Sequence, residues 1–146
     1  MADTDSGVVF DTLVVVGPGL IGSSVLRRAK EYGTLARRLV AVDNSAAVCA
    51  RVMELGLADE ATTDGVAAVA QADCVMLCVP VGAMGAVAAQ LVPAMKPGAV
   101  LTDVGSTKVS VTEAIAPSLR ADVPYVPAHP MAGTEFSGPD AAGGPV

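Results

Sequence analysis

The chain has 146 residues, a formal net charge of −6 and three cysteines. This length suits one domain, and 52% hydrophobic against 16% charged residues provide for a sizeable core. No basic patch or basic amphipathic helix is evident, which argues against a nucleic acid or a membrane surface as partner.

The opening stretch, MADTDSGVVFDT, is acidic and polar. It lacks a basic region followed by an apolar core, so it reads as a tail (residues 1–11) and not as a signal peptide. The run TLVVV (residues 12–16) is apolar and β-branched, as in a strand covered on both faces. GPGLIGSS follows and opens a helix to about Tyr32, with Ile21, Val25 and Ala29 at helical spacing. RRLVAVD (37–43) predicts a second strand. Asn44 or Ser45 then caps a helix whose stripe is Val48, Val52 and Leu55, before Gly56.

EATT (60–63) predicts a short third strand, and a short helix spans about 66–70. Residues 74–95 carry no charge and are long enough for a membrane span. Pro80, Gly82, Gly85 and Pro93 interrupt them, however. They read as a buried fourth strand and then a helix with Met84, Val87 and Leu91 on one face. PGAVLTDVGS predicts a turn, a fifth strand and a loop. The next helix is expected to run to about Leu119, with Val111, Ile115 and Leu119 in register. VPYVP (123–127) predicts a weak sixth strand, directly before His129, the one histidine. Repeated strand–helix units imply a doubly wound α/β fold: a mainly parallel sheet with helices on both faces.

Cys49, Cys74 and Cys78 fit neither a metal-ligand spacing nor a disulfide framework. They read as buried free thiols in a reducing cytoplasm, and no metal site is expected.

A glycine triplet alone is weak. Here Gly17, Gly19 and Gly22 follow a buried strand and open a helix, and Asp43 ends the next strand. That context makes a dinucleotide-binding fingerprint. Gly17 permits the tight turn, Gly19 lets backbone approach a pyrophosphate, and Gly22 lets helix and strand pack closely. Pro18 sits in the turn, and the helix start at Leu20 and Ile21 points its N–H groups at the phosphates. Asp43 accepts from the adenosine ribose hydroxyls and repels a 2′-phosphate by about 4 kcal/mol at ~4 Å and an effective dielectric near 20. No Arg follows it, so NAD is favoured over NADP.

Ligands of such sheets sit beyond the carboxyl ends of the strands. The fourth strand brings Cys78, Val79 and Pro80 there, on the nicotinamide side. The fifth brings Asp103, Gly105, Ser106 and Lys108, and the sixth brings His129. A neutral histidine suits removal of a hydroxyl proton as hydride leaves. From the residues alone, His129 also reads as a structural loop histidine, Ser106 as a helix cap and Lys108 as a solvated charge.

Together, GPGLIGSS, VMLCVPV, TDVGSTK and HPMAGTEFSG resemble the nucleotide-binding domain of the prephenate dehydrogenases, over about residues 13–138. The resemblance implies a Rossmann-like domain (12–130) followed by a substrate-side loop (131–146). It implies oxidative decarboxylation of prephenate, or arogenate, with NAD, in cytoplasmic tyrosine biosynthesis. It places His129 on the ring hydroxyl, Ser106 between that histidine, the hydroxyl and the cofactor, and Thr134 and Glu135 at the substrate mouth. Family members add a C-terminal helical domain that supplies a substrate-binding arginine and most of a homodimer contact. This chain ends at AAGGPV without it. The expectation is therefore a cofactor-binding part with little or no activity alone. A distant alternative is a β-hydroxyacid dehydrogenase, which leaves HPMAGTE unexplained. A non-enzyme alternative is an NAD-binding module without turnover.

Overall fold

A computed structural model describes residues 10–17, 19–32, 36–103 and 108–127. Among the described residues, six strands form one sheet: β1 (Phe10–Val16), β2 (Ala36–Val42), β3 (Glu60–Thr62), β4 (Cys74–Leu77), β5 (Val100–Asp103) and β6 (Tyr125–Pro127). Their order is β3-β2-β1-β4-β5-β6, and each neighbouring pair is parallel. The α-helices described between them are α1 (Leu20–Tyr32), α2 (Ala46–Glu54), α3 (Gly65–Val69), α4 (Val81–Leu91) and α5 (Lys108–Ile115).

The apolar runs of the strands are continuous because both sheet faces are covered. Alternate residues point to opposite faces. Val14, Val16, Val40, Val42, Val75 and Leu77 join one core with Met84 and Ala88 of α4 and Ile115 of α5. Leu13, Val15, Leu39, Ala41 and Cys74 join a second core with Val25 and Leu26 of α1 and Val52 of α2. The uncharged stretch 74–95 divides into β4, α4 and a 3-10 turn (Val92–Ala94). Among the described residues, no helix is long and apolar enough to cross a membrane.

Two expected core positions are corrected. Leu55 is not on the buried stripe of α2: the helix ends at Glu54, and Leu55 is 48% exposed. Gly56 then turns at φ +69°, and Leu57 takes the core place with its N–H on the Val52 carbonyl. Leu119 is also exposed. The α-helix before it stops at Ile115, because Pro117 has no N–H to continue it and the chain tightens into a 3-10 turn (Ala116–Ser118). Strand β1 begins two positions earlier than the apolar run, at Phe10, and β6 two positions later, at Tyr125.

At the amino edge of the sheet, two aspartates extend the ladder with their side chains. Asp59 gives its N–H to the Leu39 carbonyl and accepts the Leu39 N–H on Oδ2, both at 2.8 Å. Asp73 does the same with Thr12, at 3.0 and 2.9 Å. Each is also approached by a lysine, Lys30 at 3.8 Å and Lys96 at 2.8 Å. Burial pushes the Asp73 carboxyl up. The Lys96 ammonium and the Thr12 N–H outweigh burial and hold it below its ordinary value of 3.8. A lowered folded-state pKa contributes stability that is present above the unfolded value and lost as pH falls through the folded one. Asp73→Asn should therefore cost about 1 kcal/mol at pH 7. In urea denaturation of both chains, that difference should shrink once the pH drops below 3.8. A difference independent of pH would contradict the assignment.

Candidate functional site

The carboxyl ends of β2, β1 and β4 are tied together by backbone. Gly17 donates its N–H to the Val42 carbonyl and Cys78 donates to the Val16 carbonyl, both at 2.8 Å. The chain leaves β1 through Gly17 at φ +83°, where an added Cβ would lie 2.7 Å from Val79 Cγ1. Gly22, in the first turns of α1, approaches more closely: its Cβ would lie 2.6 Å from the Gly17 carbonyl oxygen. These two glycines let strand and helix meet. Gly19 differs, because a Cβ there would meet nothing within 4 Å. Its open side faces the cleft, so the room it leaves is room for a ligand.

The first turn of α1 has N–H groups without intrahelical acceptors, and it carries no acidic residue. With the helix dipole, that end favours an anion. Asp43 lies across the turn, half-buried after β2. Its Oδ1 accepts the Ser45 N–H at 2.9 Å, which fixes the carboxylate's orientation. Its backbone N–H is held by the Thr62 carbonyl at 3.2 Å. Ser45, not Asn44, caps α2 by accepting the Val48 N–H at 3.3 Å. Among the described residues, Asp43 Oδ2 has no hydrogen-bond partner, which leaves it available to a hydroxyl.

Gly17, Gly19, Asp43, Cys78, Val79 and Pro80 all line one cleft of about 430 Å³, a size suited to a small-molecule ligand. Sequence reasoning missed the wall near Asp43: Thr63, Gly65, Gln90 and Leu91. Gly65 packs closely there: an added Cβ would lie 3.1 Å from Leu91 Cδ2 and 3.2 Å from Val42 Cγ1. Such contacts between distant segments leave no local pattern. A second cavity, of about 260 Å³, is lined by Arg38, Glu60 and Gln71 and by none of the loop glycines.

Pro18, Gly105, Ser106, His129, Thr134 and Glu135 lie outside the described residues, as do the side chains of Leu20, Ile21 and Lys108. Strand register still bears on two of them. Asp103, the last residue of β5, pairs with Pro127, the last of β6. Strands β5 and β6 therefore end side by side, at the same edge of the sheet.

Asp103 is fully buried there and accepts a hydrogen bond on Oδ2 from the Tyr125 hydroxyl. Burial, and then this carboxylate, push the tyrosine hydroxyl's pKa up, against a smaller opposing effect of Thr112. Burial and the Asp103 charge push the Cys78 thiol up to about 12. Cys74 is also pushed up to about 12, by burial and then by Asp73. Both thiols are protonated at neutral pH and serve as packing groups, not nucleophiles. The described cysteines are free, and no metal-binding cluster occurs among the described residues.

The glycine geometry separates two kinds of damage. Gly17→Ala and Gly22→Ala should each destabilise the fold by about 1–3 kcal/mol. Gly19→Ala should change it by no more than about 1 kcal/mol. Thermal melts of the three variants check this; equal losses would mean that Gly19 also serves packing.

A family model for the prephenate dehydrogenase nucleotide-binding domain matches residues 26–145. A cyclohexadienyl dehydrogenase of Zymomonas mobilis is 45% identical over 133 residues, which are 91% of this chain and 45% of that protein. A prephenate dehydrogenase of Bacillus subtilis is 30% identical over 133 residues, 90% of this chain and 36% of that one. A crystal structure of Aquifex aeolicus prephenate dehydrogenase, in complex with hydroxyphenyl propionate and NAD+, superposes with a TM-score of 0.68 at 27% identity. It covers 86% of this chain and 43% of that one. The chain thus spans less than half the length of these relatives. A parallel six-stranded sheet in this strand order, a glycine turn at its carboxyl edge and a family match over most of the chain lead to one assignment: the chain belongs to the prephenate dehydrogenase family, as its nucleotide-binding domain.

Proposed function

We propose that this chain is the NAD-binding part of a cytoplasmic, homodimeric enzyme of tyrosine biosynthesis. The enzyme converts prephenate to 4-hydroxyphenylpyruvate and carbon dioxide. The observation that carries the cofactor reading is the cleft where the glycine turn, the α1 N-terminus and Asp43 converge. The residues present fit a dinucleotide. The open face of Gly19 and the first-turn N–H groups suit a pyrophosphate, and the oriented Asp43 carboxylate suits a ribose diol. The same carboxylate disfavours a 2′-phosphate, hence NAD over NADP.

When bound, NAD supplies a hydride acceptor. His129 accepts a hydrogen bond from the C4 hydroxyl of the substrate, takes its proton as the C4 hydride departs, and returns it to the same oxygen as loss of carbon dioxide forms the phenol. Ser106 orients the hydroxyl and the imidazole, and Thr134 and Glu135 border the substrate. As the ring carboxylate leaves as carbon dioxide, the ring becomes aromatic, so the substrate supplies much of the driving force. The protein's share is positioning and electrostatic help at the hydroxyl. Because the chain spans under half of its relatives, the substrate-side groups of the remaining part are needed for turnover, and the 146-residue chain alone has little or none.

A second reading, dual use of prephenate and arogenate, is favoured by one observation. The more similar of the two curated relatives reported above is named a cyclohexadienyl dehydrogenase. The chemistry at His129 is the same in both readings.

In a full-length protein containing this domain, His129→Asn should lower kcat by about 10²–10⁴-fold. NAD affinity should stay within about twofold, since the cofactor's groups lie on other strands. Steady-state kinetics and direct binding separate the two effects. An equal loss of both would make His129 structural, and unchanged turnover would remove it from the reaction.

A further inference from the structure

The two ends of the cleft differ in charge chemistry. With the ribose of the adenosine half held at Asp43 on β2 and the phosphates at the α1 N-terminus, the nicotinamide half of a bound NAD would lie towards the ends of β4 and β5. Asp103 closes β5 there, fully buried, in register with Leu77 of β4, the residue before Cys78 in the cleft wall. The Tyr125 hydroxyl from β6 holds its carboxylate in place. The nicotinamide ring is cationic when oxidised and neutral when reduced. A fixed, buried carboxylate near it acts on that one-charge difference with little screening by solvent or salt.

Resting on the cofactor reading above, we propose that the Asp103 carboxylate selects the oxidised cofactor over the reduced one, by electrostatic attraction for the cationic ring. Through the Asp103–Leu77 register it stands one position from Cys78 in the cleft wall, whose thiol is pushed up to about 12 by burial and then by this carboxylate. Tyr125 is the positioning residue, which holds the carboxylate and does not touch the ligand. The functional consequence is directional. A ring that has taken hydride would be neutral and would lose this attraction, so reduced cofactor would be held less tightly, relative to oxidised, than in an uncharged site.

The test is calorimetric titration of the purified chain with NAD+, NADH and ADP-ribose, which has no ring. Asp103→Asn should raise the ratio Kd(NAD+)/Kd(NADH) at least about threefold, and ADP-ribose affinity should be unaffected. Tyr125→Phe keeps the charge and should leave the ratio within about twofold of wild type. If Asp103→Asn does not fold, the paired change Asp103→Leu with Tyr125→Phe removes the charge without leaving the hydroxyl unpaired. It should shift the ratio in the same direction. An unchanged ratio in the charge-removing variants overturns the proposal. So does an equal shift in Tyr125→Phe, or a matching loss of ADP-ribose. If the wild-type chain binds none of the three ligands, the cofactor reading fails and this proposal with it. If it binds them with a ratio insensitive to Asp103, only this proposal fails.

Discussion

The close approach of Gly22 to the Gly17 carbonyl sets the geometry of the whole cleft. A methyl group at Gly22 would lie 2.6 Å from that oxygen, so only glycine lets α1 start this near the end of β1. The same turn is pinned on one side by Val42 and on the other by Val79, which brings β2 and β4 to the helix N-terminus. The groups offered to a nucleotide follow from this convergence: first-turn N–H groups without intrahelical acceptors, an open face at Gly19, and a carboxylate at the end of the neighbouring strand.

The sheet then distributes charge along its carboxyl edge. Asp43 is half-buried and oriented by a backbone N–H, so it can meet neutral hydroxyls in partly solvated surroundings. Asp103 is buried and held by a tyrosine hydroxyl, so the influence proposed for it is a field at range and not a direct contact. At the opposite edge, Asp59 and Asp73 serve architecture: each completes a strand start and meets a lysine. One residue type thus performs three tasks, and burial and partners decide which.

Much of this was legible in the sequence for physical reasons. Strands covered on both faces demand continuous apolar runs, so TLVVV and CVML stood out and the parallel sheet followed. The glycine fingerprint was legible because three backbone constraints fall within one turn. Leu55 and Leu119 were misplaced because periodicity does not register where a helix ends; Gly56 and Pro117 decide that, and they move the next core contact along the chain. Gly65, Gln90 and Leu91 were missed because they meet Asp43's wall only in the folded chain. Asp103 was recognised as a strand-end group, but its partner Tyr125 lies on another strand, and no spacing rule links them. The roles of Ser106, His129, Thr134 and Glu135 rest on motif resemblance, since these residues lie outside the described ones.

The central claim is that a dinucleotide lies across the glycine turn with its ribose at Asp43. The most direct measurement is a ¹H–¹⁵N correlation titration of the chain with NAD. The account predicts that the amides of Gly17, Gly19, Gly22 and Ser45 shift together and saturate with one affinity, while those of Arg38 and Gln71 at the second cavity stay in place. Saturating shifts centred on Arg38 and Gln71, or no shifts at the glycine turn, would contradict it.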